Sequence, residues 1–326
     1  MNPKRAFLSL LRREPAETGS IGLWLSPDGI ALARVVRANG VPRLTACDYR
    51  PVPRAAEPAY ILRGLIGGLG TDSGHFHCVL GPSEYQLLLV DTPDVPASEL
   101  REAVRWRIHD LVDMPLDDAT IDVFDMPQQI SHGEAKPRTL CVVAARSPLI
   151  AQKVALLTRG GCQVAAVDIA ELALRNLTAL MPEDRDGLVV LHLEQDHTLI
   201  VVTRNSTLYL SRRIAIGQQA LSSAVARAGD DDELARLLEM LTEEVYRSLE
   251  YCESRFQALT PSSIVLTPAA RLVHGLREGL AESTGLPVRG LDLDTLMPGG
   301  IRVPPERQAM CLLAVGAALR TETTTL

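Results

Sequence analysis

Aromatic residues are scarce in this chain of 326 residues: they fill 4% of positions and include two tryptophans, Trp24 and Trp106. Lysine is scarcer still. It occurs only at Lys4, Lys136 and Lys153, and none of these follows a glycine-rich turn, which excludes a Walker-type phosphate loop. A basic excess is also missing. The net charge of −7 argues against a general nucleic-acid binder, which carries a basic balance or stripe. Six cysteines (Cys47, Cys78, Cys141, Cys162, Cys252 and Cys311) lie far apart with no Cys-x-x-Cys pair. That spacing excludes a cysteine-paired zinc site and a disulfide-dense secreted scaffold. No G-x-S-x-G nucleophile elbow occurs. The most apolar window, residues 309–319, is about half the ~20 residues needed to cross a bilayer. Residues 1–14 lack both the apolar stretch and the A-x-A site of a signal peptide. These absences predict a cytoplasmic protein whose membrane contact is at most peripheral.

What is present points to two lobes, since this length exceeds one ordinary core. Residues 1–19 form a basic stub. On a helix, Phe7, Leu8, Leu10 and Leu11 share one side and Arg5, Arg12 and Arg13 the rest, so residues 4–13 read either as a peripheral membrane contact or as a frayed tail. From residue 21 the chain reads as strands at 21–25, 30–36 and 44–49, joined through Ser26-Pro27-Asp28-Gly29 and Asn39-Gly40. Strands at 188–193, 198–203 and 207–214, with a turn at Asn205-Ser206, repeat the arrangement about 170 residues later. The two openings share a local pattern, Leu23-x-Leu25-x-x-Asp28 against Leu191-x-Leu193-x-x-Asp196. Such a duplication predicts two similar lobes with a cleft between them.

A different module separates the copies, with a helix at 98–112, strands at 119–125 and 139–144, and a helix at 148–158. It reads as a small α+β subdomain, at about residues 84–160, inserted in a first lobe of residues 20–185. The second lobe spans 186–326. It carries a long helix at 231–256, with Leu234, Leu238, Leu241, Val245, Leu249, Cys252 and Phe256 at three- and four-residue steps, and a C-terminal helix at 308–319.

Six segments in this order resemble one family: ELREAVRWRIHDLVDMPLD (99–117), VDIAELAL (167–174), LYLSRRIAIGQQAL (208–221), IVLTPAARLVHGL (264–276), GLPV (285–288) and AVGAALR (314–320). They are similar to PilM, the actin-like cytoplasmic protein of type IV pilus assembly, and more closely to its relative MshI of the MSHA pilus system. The resemblance spans about residues 20–320. It implies an α/β, actin-like two-lobed fold of duplicated ribonuclease-H-like lobes, with the small α+β subdomain inserted in the first. It also implies a scaffold peripheral to the inner membrane, which holds the N-terminal tail of a PilN-like bitopic protein and links it to the pilus motor ATPase.

An actin-like cleft grips phosphates with two hairpins, each offering an Asp for the magnesium shell and a Gly that lets backbone N–H groups approach. A glycine-rich turn packs the adenosine. By that resemblance Trp24 and Ser26 replace the Asp and Gly of the first hairpin, His192 and Glu194 those of the second, and Pro268 and Ala269 the glycine pair. If each lesion costs about 1–3 kcal/mol, three remove roughly 3–9 kcal/mol, whereas a micromolar site is worth about 8 kcal/mol. The expectation is a pseudo-ATPase with no catalytic residue, no cofactor and no metal. A competing register gives the role to Asp28 or Asp196, about four positions later, and with it ATP and magnesium binding. His75 and His77, two apart in a strand pattern, read as surface histidines without a third metal ligand.

On the helix at 98–112, Leu100, Val104, Ile108 and Leu111 form the apolar stripe. Trp106 falls opposite, beside Glu102 and with Arg107 at the stripe's edge. Trp and Arg are enriched at binding hot spots, so Trp106, Arg107 and Glu102 are candidate partner contacts. The other reading packs Trp106 against a neighbouring lobe of this chain.

Overall fold

Alternating apolar residues open the fold as an antiparallel meander, β1 (Ser20–Leu25), β2 (Gly29–Ala38) and β3 (Val41–Pro51). The β2–β3 turn takes left-handed backbone at Asn39 (φ 52°) and Gly40 (φ 81°), the geometry that matches strand twist in two-residue hairpins. The computed structural model describes residues 19–54, 56–69, 74–131, 134–226, 231–256 and 259–321. Residues 4–13, read above as a membrane-contact candidate, lie outside the described residues.

The chain continues through α1 (Pro58–Gly67), β4 (His75–Leu80), β5 (Tyr85–Asp91), α2 (Leu100–Arg107) and β6 (Ala119–Asp125). A short hairpin, β7 (Ile130–Ser131) and β8 (Glu134–Ala135), leads to β9 (Thr139–Arg146), α3 (Ser147–Arg159), β10 (Val164–Ile169) and α4 (Ala170–Thr178). A second meander follows: β11 (Leu188–Leu193), β12 (Thr198–Arg204) and β13 (Thr207–Ile214). Then come α5 (Gln218–Ala226), α6 (Asp231–Arg255), β14 (Ser263–Leu266), α7 (Leu276–Thr284), β15 (Val288–Gly290), α8 (Leu293–Leu296) and α9 (Pro305–Ala318).

The first sheet runs β10-β4-β1-β2-β3 and the second β13-β12-β11-β14-β15. Each is a three-stranded antiparallel meander extended by two parallel strands, β4 and β10 or β14 and β15. The second meander even turns on left-handed Asn205 (φ 49°) and Ser206 (φ 60°), the counterpart of Asn39-Gly40. Between the copies, β5-β9-β6 forms a separate antiparallel sheet covered on one face by α2, with Val90, Val104, Ile108, Val123 and Val142 as its core. This is a two-lobed α/β fold with an inserted α+β unit.

Strand parity decides what covers each face of the first sheet. Ile21, Leu23, Ile30 and Leu32 point outward to Leu62 of α1 and Leu157 of α3. Gly22, Ala31 and Ala33 point inward, where α9 lies against β1, β2, β3 and β4. Gly22 has no Cβ because α9 is there: an added methyl carbon would meet the backbone of Ala314 and Ala318. The inner face of the second sheet (Leu188, Val190, Leu199, Val201) meets α4. A single core therefore runs from sheet to sheet through α9 and α4, while α5, α6 and α7 cover the second sheet's outer face.

Three expectations need correction. The C-terminal helix, assigned above to the second lobe, completes the first, because its small residues Ala314, Gly316, Ala317 and Ala318 admit close approach to β1 and α4. The helix at 148–158 is α3, and its buried Leu157 packs with α1 of the first lobe rather than inside the inserted unit. The helix expected at 98–112 is one turn of 3-10 helix followed by eight α-helical residues that stop at Arg107. Leu111 consequently leaves the apolar stripe and is 53% exposed.

Candidate functional site

The cleft elements named by the sequence are built differently in the two lobes. In the first hairpin, Ser26 Oγ donates to Gly29 O (3.1 Å) and accepts from Gly29 N–H (3.0 Å), so its polar capacity closes its own turn. Trp24 lies half-buried on the inner face of β1, packed against the shared core, and its Nε1–H is buried without a partner among the described residues.

In the second hairpin His192 is buried, with Nε2 2.9 Å from Glu194 Oε1 and Nδ1 3.4 Å from Thr267 Oγ1. That contact joins the hairpin to the Thr267–Ala269 turn, where Pro268 is buried. His197 Nδ1 stands 2.6 Å from Asp196 Oδ1. Burial pushes the Glu194 carboxyl up, but the hydrogen bond and charge of His192 outweigh it and hold the group below its ordinary value. Asp196 is likewise held low, chiefly by its hydrogen bond with His197. Both carboxylates stay ionised.

The backbone of this turn is occupied as well. Glu194 O and Gln195 O accept the N–H groups of Gln218 (2.8 Å) and Gln219 (2.9 Å) at the start of α5. Gly217 makes that seat possible, since a Cβ there would meet Asp196 C and N at 2.5 Å. A phosphate cradle offers N–H groups to a polyanion. This turn instead presents carbonyls already bonded to α5, and Asp196, the carboxylate a magnesium ion would need, is bonded to His197. The residues present do not fit a magnesium–polyphosphate group.

Sequence reasoning missed the buried carboxyl groups of Asp168, Glu171 and Asp184, of which Glu171 joins the most elements. Glu171, at the start of α4, is 1% exposed; it accepts hydrogen bonds from Tyr85 Oη of β5 and from Ser211 Oγ of β13 (3.0 Å). Desolvation raises its pKa against the pull of those bonds and of nearby Arg213, which itself donates to Pro82 O. One carboxyl thus ties inserted unit, central helix and second sheet together. Its signal was available: a glutamate on the buried face defined by Ala170, Ala173 and Leu174.

On the inserted unit, Trp106 is 74% exposed, with Glu102 and Arg107 also exposed on α2. Packing of Trp106 against another lobe is therefore ruled out. On the sheet face opposite α2, Leu87, Phe124 and Val143 are partly buried, packed near Val167 of β10 and Leu172 of α4, and Leu89 is 52% exposed. His77, half-buried, lies 3.1 Å from Ala317 O and 3.2 Å from Ser20 Oγ, a packing contact of α9. Among the described residues no group of three His, Cys, Asp or Glu is placed to hold a metal, and no helix is long and apolar enough to cross a membrane.

No protein-family model and no curated protein matches this chain by sequence. Solved structures do. The fold is actin-like, as in a Bacteroides thetaiotaomicron protein of unknown function with an actin-like ATPase fold (TM-score 0.50, 8% identity, 91% of this chain and 97% of that one). Within that fold the chain is similar to one in the PilM-PilN type IV pilus biogenesis complex. There the TM-score is 0.73 at 22% identity, over 93% of this chain and 98% of the other.

Proposed function

We propose that this chain is a scaffold of a type IV pilus assembly platform of the MSHA kind, working on the cytoplasmic side of the inner membrane. It holds the N-terminal tail of a PilN-like membrane protein, connects it to the motor ATPase, and does not hydrolyse ATP. The observation that carries the reading is the near end-to-end correspondence with a chain of the PilM-PilN complex, inserted unit included. The second turn, whose carbonyls are bonded to α5 and whose carboxylates are paired with His192 and His197, supports the nucleotide-free part.

Two measurements test it. In a Trp106→Phe background, Trp24 is the sole tryptophan and lies half-buried against the core shared by the two lobes. Its fluorescence is expected to stay flat as MgATP rises to millimolar levels, with the protein folded throughout. A saturable change at micromolar MgATP would replace the scaffold reading with an actin-like ATPase. Second, Trp106→Ala is expected to weaken capture of a PilN-like tail peptide about tenfold or more, the scale of a hot-spot aromatic. The melting temperature should barely move, because exposed substitutions stay within about 0.5 kcal/mol. Unchanged capture would remove α2 from the partner surface.

A further inference from the structure

The outer face of the second lobe concentrates the protein's negative charge. α6 and α7 together hold ten acidic and four basic residues, a net −6 against −7 for the whole chain. The two helices pack together and leave a groove along one side. Gly275, just before α7, and Gly279 within it let the helix approach Leu238 and Thr242 of α6, and a groove of about 570 Å3 opens beside Leu238, Thr242 and Tyr246. That volume lies within the roughly 300–1,000 Å3 typical of occupied binding clefts. Its banks are Glu239 and Glu243 on α6 and Glu282 on α7, all exposed. Glu243 pairs with Arg247 (2.5 Å), whereas Glu239 and Glu282 make no ion pair among the described residues. Tyr246 is 45% exposed and supplies an aromatic face on which a guanidinium can stack.

A half-apolar groove with acidic banks selects a segment that is apolar on one side and cationic on the other. This chain carries one such segment outside the described residues. Residues 4–13 place Lys4, Arg5, Arg12 and Arg13 around Phe7, Leu8, Leu10 and Leu11, with no acidic residue among them. We propose that the groove between α6 and α7 is the docking site of this N-terminal segment. The arginines meet the glutamates and Tyr246, and the leucines lie along the floor formed by Ala235, Leu238 and Gly279. Attraction of opposite charges brings the segment in, so the contact is screened by salt, and the groove gives it a seat.

The scarcity of lysine provides the test. Carbodiimide joins lysine amines directly to nearby carboxylates, and the full chain has three lysines. Lys153, 2.8 Å from Glu84, serves as the internal control. Mass spectrometry of the cross-linked full chain is expected to find Lys4 joined to Glu239, Glu243 or Glu282. Arg12→Glu/Arg13→Glu should cut that product about tenfold and leave Lys153–Glu84 unchanged. Gly279→Met, which fills the groove without touching its acids, should do the same; it separates seating from simple charge attraction. Mixing light and isotopically heavy chains reads whether the pairing is within one molecule or between two, and either supports the docking. Lys4 products scattered over other acidic residues, or insensitivity to Gly279→Met, overturn it. So does a segment that cross-links nowhere on α6–α7 yet binds phosphatidylglycerol vesicles.

Discussion

Gly316→Ala is expected to destabilise the protein by about 3 kcal/mol, the upper part of the range for overpacked cores. At this position α9 crosses α4 with backbones in contact. A methyl carbon on Gly316 would fall inside the carbonyl oxygen of Ala173, 2.7 Å from its carbonyl carbon and 3.0 Å from its Cα. All three atoms are main chain, so no rotamer relieves the clash. Alanine gains about 1 kcal/mol over glycine as a helix former, and the collision outweighs it. Separation of the helices would also strain the bond from Asn176 Nδ2 to Gly316 O (3.0 Å). Thermal melts should show a fall of roughly 5 °C for a chain of this size. Gly64→Ala is the control: Gly64 sits on α1 with nothing within 4 Å of the new carbon, so its melt should hold or rise. Equal melts for Gly316→Ala and the parent protein would show that the helices do not cross this closely.

Arg320→Ala should cost more, on the order of 3–5 kcal/mol, the penalty for removing one partner of a buried pair. Arg320 follows α9, and its Nη1 donates to Asp168 Oδ2 at the end of β10 (2.8 Å). Asp168 is 3% exposed, so loss of the guanidinium leaves a carboxylate in the core without its counter-charge. The double variant Arg320→Ala/Asp168→Asn should recover much of the loss, since no charge remains and the amide oxygen still accepts from Ile169 N–H, as Asp168 Oδ1 does at 2.9 Å. Urea titration measures both. A double variant as unstable as the single one would point to lost packing of the arginine stem instead of a stranded charge.

The duplicated meanders were legible because their signals are local: period-two apolar runs around Asn39-Gly40 and Asn205-Ser206, both realised as left-handed turns. The long α6 was legible for the same reason, although Leu237 takes a fully buried place and Leu234 and Leu238 sit at the core's margin. The destination of α9 was not. Nine of its residues are buried, and a helix apolar on all sides does not say which sheet it meets; that is set by Gly22 and Ala173, far away in sequence. The end of α2 was hidden too. Asp113 N–H is taken by Gln86 Oε1 and Arg105 donates to Leu116 O, tertiary bonds that draw the chain away from the helical path. At the cleft, residue identities were legible but pairings were not. Nothing in the order His192, Glu194, Asp196, His197 tells which carboxylate each imidazole meets.

That α9 belongs to the first sheet also sets the order of events during synthesis. Ribosomes add about 5–20 residues per second, so residue 318 follows residue 80 by on the order of 10–50 s. Throughout that interval the inner face of β1–β4, with Leu44 and Val79, lacks the helix that will bury it. Until α9 emerges, that face is exposed apolar surface. A chain cut before α9 is expected to leave this face open to proteases, which limited proteolysis of a protein shortened to residue 304 would read.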